Sequence, residues 1–167
     1  MVRGMRQSNT DLPAPARLNF DILRLVCDRL TDVSDVLSFA LTSSTLTKPA
    51  FQRRLRMSPV NLSNRRFVDS FYDFIFADEA ARAPCIYGLK LPNVPRVGTE
   101  ERTGPQLPIM QLQLVTILQA AVHLKYIHFP SIVDDLDPVL TVAANMASLR
   151  ELHLVFDASL ENRRTVG

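Results

Sequence analysis

The pattern apolar–x–x–apolar–x–apolar recurs along this chain, and a stretch of helical periodicity separates each copy from the next. The clearest pair sets His123-Leu124-Lys125-Tyr126-Ile127-His128-Phe129 against Ser148-Leu149-Arg150-Glu151-Leu152-His153-Leu154, 25 residues apart. Each copy has a basic residue after its first leucine and a histidine in the same slot. The template also fits Ile86, Leu89 and Leu91, and more loosely Met57, Val60 and Leu62. The middle apolar positions are Val60, Leu89, Ile127 and Leu152, spaced 29, 38 and 25 residues. A repeat of this length marks stacked supersecondary units, each unable to bury its apolar face alone. Between the copies, Arg65 to Arg82 carries Phe67, Phe71, Phe74 and Ile75 at helical spacing, with Asp69, Asp73 and Asp78 around the other side. Leu112 to Leu124 carries Leu114, Val115, Leu118 and Val122 in the same way. Asp137-Pro138 reads as an N-cap and N1 pair opening a helix through Leu140, Ala143, Ala144 and Ala147. The long middle interval holds Pro92 to Pro108, an expected inserted loop. The order is therefore four strands with three helices between them.

This order resembles leucine-rich repeats, which run ~20–29 residues with one strand and a return helix each. Most copies lack the asparagine or cysteine that the repeat family carries after the strand, and a generic small α/β domain fits the same elements. Side chains alternate across a strand. Asn61, Lys90, Tyr126, His128, Glu151 and His153 are thus expected to face outward between inward apolar residues, as candidate contacts for a target protein. A stacked array needs a covered end, and Asn162-Arg163-Arg164-Thr165-Val166-Gly167 offers no apolar cap. The expectation is a truncated chain or a partner over the last strand.

Upstream, Leu18 to Leu46 reads as two amphipathic helices joined by a polar corner. Ile22, Leu23, Val26 and Leu30 form the first stripe, with Arg24, Asp28 and Arg29 opposite. Asn19 can cap this helix, and Asp21 puts a carboxylate in its first turn, where the helix dipole favours it. Thr31 to Ser34 breaks the pattern, and Asp32 or Ser34 can cap a second helix bearing Val36, Leu37, Ala40 and Leu41. Thr42 to Thr45 are hydroxyl residues that compete with helix for local backbone bonds. Thr47 can cap a third helix, with Pro49 tolerated in its first turn. A trihelical unit this small has a core that supplies no more than ~3–5 kcal/mol and must lean on something else.

This succession resembles an F-box: Leu18, a carboxylate before Ile22-Leu23, then Val26, Leu30, the Asp35-Val36-Leu37 step, and Ala40-Leu41 running into Ser43 and Ser44. The family's usual Leu-Pro opening is Leu18-Asn19 here, and Leu46 stands where an aromatic often follows the serines. The resemblance covers residues 18–57. It implies that Leu18, Ile22, Leu23, Val26, Leu30, Val36, Leu37 and Leu41 form the apolar patch for a Skp adaptor, or the core behind that patch. The residue pattern does not divide the eight between those roles.

Net charge is +2 but uneven: residues 1–66 hold 11 Lys and Arg against 5 Asp and Glu, and residues 67–167 hold 8 against 12. Arg53, Arg54, Arg56, Arg65 and Arg66 carry much of the basic excess. Two short helices followed by arginines raise a helix-turn-helix reading. Against it, the second helix offers Ser38, Phe39, Thr42 and Ser43, few of them long enough to read bases, and the arginines follow it. The plainer reading is a solvated basic face that steers an acidic partner. Cys27 and Cys85 lie in apolar surroundings without metal-ligand spacing, as expected of small core residues in a reducing compartment. Residues 1–17 lack the apolar run of a secretory signal and read as a disordered leader. Leu112 to Leu124 is too short to span a bilayer.

No catalytic constellation emerges. His128 and His153 occupy equivalent strand slots, and with Glu151 nearby they raise a zinc reading, but no further ligand is evident. Asp134, Asp135 and Asp137 lack the spacing and glycine of an EF-hand, and there is no phosphate loop or nucleophile elbow. Cys27 falls in a helix stripe and Cys85 precedes a strand, so neither reads as an activated thiol.

The expected fold class is α/β: a trihelical F-box (18–57) followed by a short leucine-rich-repeat-like strand/helix solenoid (58–167, with an inserted loop at 92–108). The resemblance implies the substrate-recognition adaptor of a Skp–cullin–F-box ubiquitin ligase. Such a protein is not itself an enzyme and needs no metal or cofactor. Its partners would be the Skp adaptor, the cullin ligase complex and a protein target, with no nucleic acid or membrane, in cytoplasm or nucleus. The alternatives are a repeat scaffold without a ligase role and, after it, a helix-turn-helix DNA-binding protein.

Overall fold

A computed structural model of the chain describes residues 19–93, 106–130 and 136–155. Among the described residues there are seven α-helices, one 3₁₀ turn and a parallel four-stranded sheet. Leu18, the expected leader at 1–17, Asp134, Asp135 and the segment 162–167 lie outside them, as does most of the loop expected at 92–108.

Three helices come first: α1 (Phe20–Arg29), α2 (Val33–Leu41) and α3 (Ser44–Met57). Asn19 caps α1, its side-chain oxygen accepting from the Asp21 N–H at 3.0 Å. Asp32 caps α2, accepting from the Ser34 N–H at 2.6 Å and from the Asp35 N–H at 3.4 Å. The Ser34 hydroxyl also donates to Asp32, and together these bonds hold the Asp32 carboxyl below its ordinary pKa. A carboxylate whose folded-state pKa is lowered stabilises the fold above its unfolded-state value and loses that effect as pH falls through the folded-state value. Asp32→Ala is therefore expected to lower the thermal midpoint at pH 7, with the gap to the parent chain closing as the pH is brought below ~4. Parallel melts of the two chains against pH check this.

The third cap differs from expectation. Ser43, not Thr47, caps α3, and the helix starts three residues before Thr47. Thr47 instead donates its hydroxyl to the Ala40 carbonyl at 3.3 Å, tying α3 to the end of α2. Pro49 thus lies inside α3 rather than in its first turn.

Both α1 and α2 pack on α3. The core they share is small: Cys27, Val36, Ala40 and Ala50, with Leu30, Phe39 and Met57 around it. The unit leans on the rest of the chain through α3, whose Leu55 is buried in the larger core. Gln52 donates to the Ala81 carbonyl at 3.1 Å, Phe51 meets Phe74 edge to face at 5.2 Å, and Lys48 pairs with Asp78 at 3.1 Å. No unpacked linker separates the two cores.

The sheet runs β1 (Val60–Asn61), β2 (Gly88–Lys90), β3 (Tyr126–Phe129) and β4 (Glu151–Leu154), in chain order and all parallel. Parallel neighbours need a crossover connection. Here α4 (Arg65–Phe76) and α5 (Glu79–Arg82) with the 3₁₀ turn, then α6 (Gln106–Ala120), then α7 (Asp137–Ala144), make the three crossings. The register pairs Val60 with Leu89, Leu89 with Ile127, and Ile127 with Leu152, joining the four middle apolar positions of the sequence template in one rung. The outer positions of the template build the layers on either side: Ile86 and Leu124 below, Leu62, Leu91 and Phe129 above, all buried. A backbone relay repeats with the stack. The Leu55 carbonyl accepts from Tyr87, the Tyr87 carbonyl from Lys125 and Tyr126, and the Lys125 carbonyl from Arg150 and Glu151.

Helix bounds and faces depart from expectation in four places. In α4 the buried positions are Val68, Phe71 and Ile75, and Phe67 is exposed, because the helix is rotated to bring Val68 onto the core. Helix α6 starts at Gln106, so Pro108 lies in its first turn rather than in the loop. It ends at Ala120, leaving Val122 exposed in the following turn. Asp137 is the first residue of α7 rather than its cap. Leu136 takes the cap position, buried and without a side-chain bond.

Candidate functional site

Apolar side chains are exposed on α1 and α2, and polar ones on the open face of the sheet. On α1, Ile22 is 50% exposed and Val26 42%, one turn apart. On α2, Leu37 is 39% exposed and Leu41 88%, again one turn apart. Leu23 and Leu30 are half-buried, Leu30 against the small core, and Val36 is fully buried within it. The structure thus divides the expected apolar patch. Ile22, Val26, Leu37 and Leu41 are presented to solvent; Val36 holds the unit together, with Leu30 packed beside it. Phe20 and Leu25 add to the exposed set on α1 and were not singled out in the sequence. The signal was there, since α1 carries more large apolar residues than a core of this size can receive.

The second surface is the side of the sheet turned away from the helices. All six outward candidates lie on it, in two rungs. Asn61 pairs with Lys90, Lys90 with His128, and His128 with His153, so one polar rung crosses the whole sheet. The neighbouring rung is Gly88, Tyr126 and Glu151. Asn61, Lys90, Glu151 and His153 are exposed and Tyr126 and His128 half-buried. The His128 and His153 rings stand 6.3 Å apart, Tyr126 lies 5.1 Å from His153, and Glu151 reaches His153 at 3.7 Å. Among the described residues, no group of three or more His, Cys, Asp or Glu side chains is placed to hold a metal ion.

Gly88 is the residue of this face that sequence reasoning passed over. A Cβ there would stand 2.8 Å from Tyr126 Cβ and 3.0 Å from the Tyr126 carbonyl oxygen. Glycine lets the Tyr126 ring lie over β2. Its slot in the repeat template, equivalent to Tyr126 and Glu151, was the available clue. Gly88→Ala is expected to cost about 1–3 kcal/mol, the usual penalty of overpacking against backbone. Urea unfolding of the two chains measures it.

Of the arginines flanking α3, Arg56 and Arg66 are exposed and Arg53, Arg54 and Arg65 half-buried. Arg53 donates to the Leu30 carbonyl at 3.0 Å, and Arg54 to the Ser58 carbonyl at 3.2 Å and hydroxyl at 3.0 Å. Arg56 reaches the Cys85 sulfur at 3.3 Å and Arg65 pairs with Asp69 at 3.5 Å. Burial also lowers the Arg54 pKa. Arg53 thus ties α3 to the end of α1 and Arg54 closes the end of α3, because helix C-terminal and loop carbonyls need donors. Cys27 and Cys85 are buried free thiols, and burial raises the Cys27 pKa, which disfavours the reactive thiolate.

No protein-family model, curated protein or solved structure matches this chain at a significant level. No described helix is long and apolar enough to cross a membrane.

Proposed function

We propose that this protein is an F-box-type adaptor, docking a Skp adaptor through α1 and α2 and a target protein on the open face of the sheet. The observation that carries the reading is the outward presentation of Ile22, Val26, Leu37 and Leu41 from a unit whose own core holds only four buried residues. Large side chains left in water on both helices represent apolar burial that a partner can complete, at roughly 25 cal/mol per Å². Four parallel strands in chain order, each returning through a helix, support the repeat half of the proposal.

Such an adaptor forms and breaks no covalent bond. It holds a target's lysine near a ubiquitin-charged enzyme, converting an encounter between separate molecules into one at high local concentration. The bonds of Arg53 and Arg54 to backbone carbonyls argue against DNA binding, which needs such cations free for phosphates.

Co-expression with a Skp adaptor followed by size exclusion tests the proposal. A co-migrating complex of defined stoichiometry is expected. A folded chain that elutes alone would overturn the ligase reading and leave a repeat scaffold.

A further inference from the structure

We infer that the open face of the sheet binds an extended acidic segment of the target, its Glu and Asp carboxylates set against the rung Lys90, His128 and His153. The inference rests on the target-receptor reading above and adds the chemistry of what is received. Residues 67–167 as a whole are acidic, with 12 Asp and Glu against 8 Lys and Arg. The strands and the residues that lead into them depart from that average. Lys90 on β2, Lys125 just before β3 and Arg150 just before β4 are all exposed, while Glu151 is the one carboxylate on the described strands. Arg150 donates its N–H to the Lys125 carbonyl at 2.9 Å, which sets these two side by side, while Lys90 pairs in register with His128, three residues further along.

The rung supplies hydrogen-bond donors in a line. Neighbouring strands lie about 4.8 Å apart, so Lys90, His128 and His153 span roughly 10 Å. An extended peptide laid across the strands sets every second side chain on one side at about 6.8 Å intervals, close enough for two carboxylates to meet this line. Lysine and imidazole side chains donate to carboxylates, and a charged donor strengthens the bond. Asn61 extends the line at β1, and the Tyr126 ring gives an apolar floor beside it. Glu151, 3.7 Å from His153, opposes an acidic ligand and competes for that imidazole.

Glu151 gives the test its direction. The full chain is titrated into a fluorescein-labelled peptide of alternating Glu and Ala, about twelve residues long so that it outspans the sheet, and anisotropy is read at low salt. Saturable binding is expected. It should weaken about tenfold in Lys90→Glu and tighten about threefold in Glu151→Gln, as is usual for charge changes within an interface. Arg66→Glu, the same charge reversal at an exposed position on α4, should leave it unchanged. All three positions are exposed, and thermal melts verify that each variant is folded.

Absence of binding, equal binding of a peptide with Lys in place of Glu, or an equal loss in Arg66→Glu would each overturn the inference. So would binding confined to a peptide with phosphoserine in place of Glu, which would make phosphate the ligand. No adaptor is present in the titration. Peptide failure with adaptor co-migration intact therefore rejects this inference alone, and the reverse result rejects the ligase reading alone.

Discussion

Ile22→Asp combined with Leu37→Asp is expected to abolish co-migration with the Skp adaptor while the chain stays folded. Both side chains are already partly in water, so a carboxylate at either site leaves the folded monomer close to its parent stability. In an apolar interface the same carboxylate has no partner. Burying an unpaired charge costs several kcal/mol after relaxation, and two such charges should reduce affinity at least ~100-fold. The readout is size exclusion of the co-expressed pair, with a thermal melt of the variant alone. A matched control separates docking from folding. Val36→Asp puts the charge into the small core, where Val36 is fully buried, and should lose the fold itself. A double variant that still carries the adaptor would remove α1 and α2 as the docking surface.

The second large effect is on stability. Ile127→Ala should destabilise the chain by about 2–5 kcal/mol, the range for deleting a fully buried branched side chain. Ile127 lies in the middle of the inner rung, between Leu89 and Leu152, and no part of it reaches solvent. Domains of ordinary size hold only about 5–15 kcal/mol in total, so this one change consumes a large share of it. Leu152→Ala is the informative comparison. It occupies the same template position on the edge strand but is 40% exposed, so its cost should be clearly smaller. Urea midpoints of the two variants give the ranking, and equal losses would mean that β4 is covered in solution.

The sheet was legible in the sequence because its signal is a coincidence of spacings. Val60, Leu89, Ile127 and Leu152 were aligned by template alone, and the strands pair them in that register. A one-residue slip would turn every inner side chain outward, so the pattern leaves little freedom. The helices were legible as helices but less so in their facing. Phe67 and Val68 are adjacent, and only the docking angle of α4 decides that Val68 goes in. Likewise Ile22, Leu23, Val26 and Leu30 read as one apolar stripe without a stated cover, whereas Cys27 is the residue of α1 buried to completion. Periodicity finds a stripe; it does not say whether the chain or a partner covers it. Caps were read correctly at Asn19 and Asp32 and wrongly at Asp137, where the buried Leu136 takes the cap position. They were misread where Ser43 and Thr47 competed for one helix, because the winner was set by how α3 meets α2.

Helix α3 buries Ala50 in one core and Leu55 in the other, five residues and roughly 7.5 Å apart along a single rod. That leaves no joint about which the two ends of the molecule could swivel. A body docked on α1 and α2 would be held at a fixed bearing to anything seated on the sheet, and melting either core would strip packing from the other. Lengthening α3 by one residue between Ala50 and Leu55 should therefore turn one core about 100° out of step with the other and break both sets of contacts, so the cost falls on the whole molecule rather than on one end.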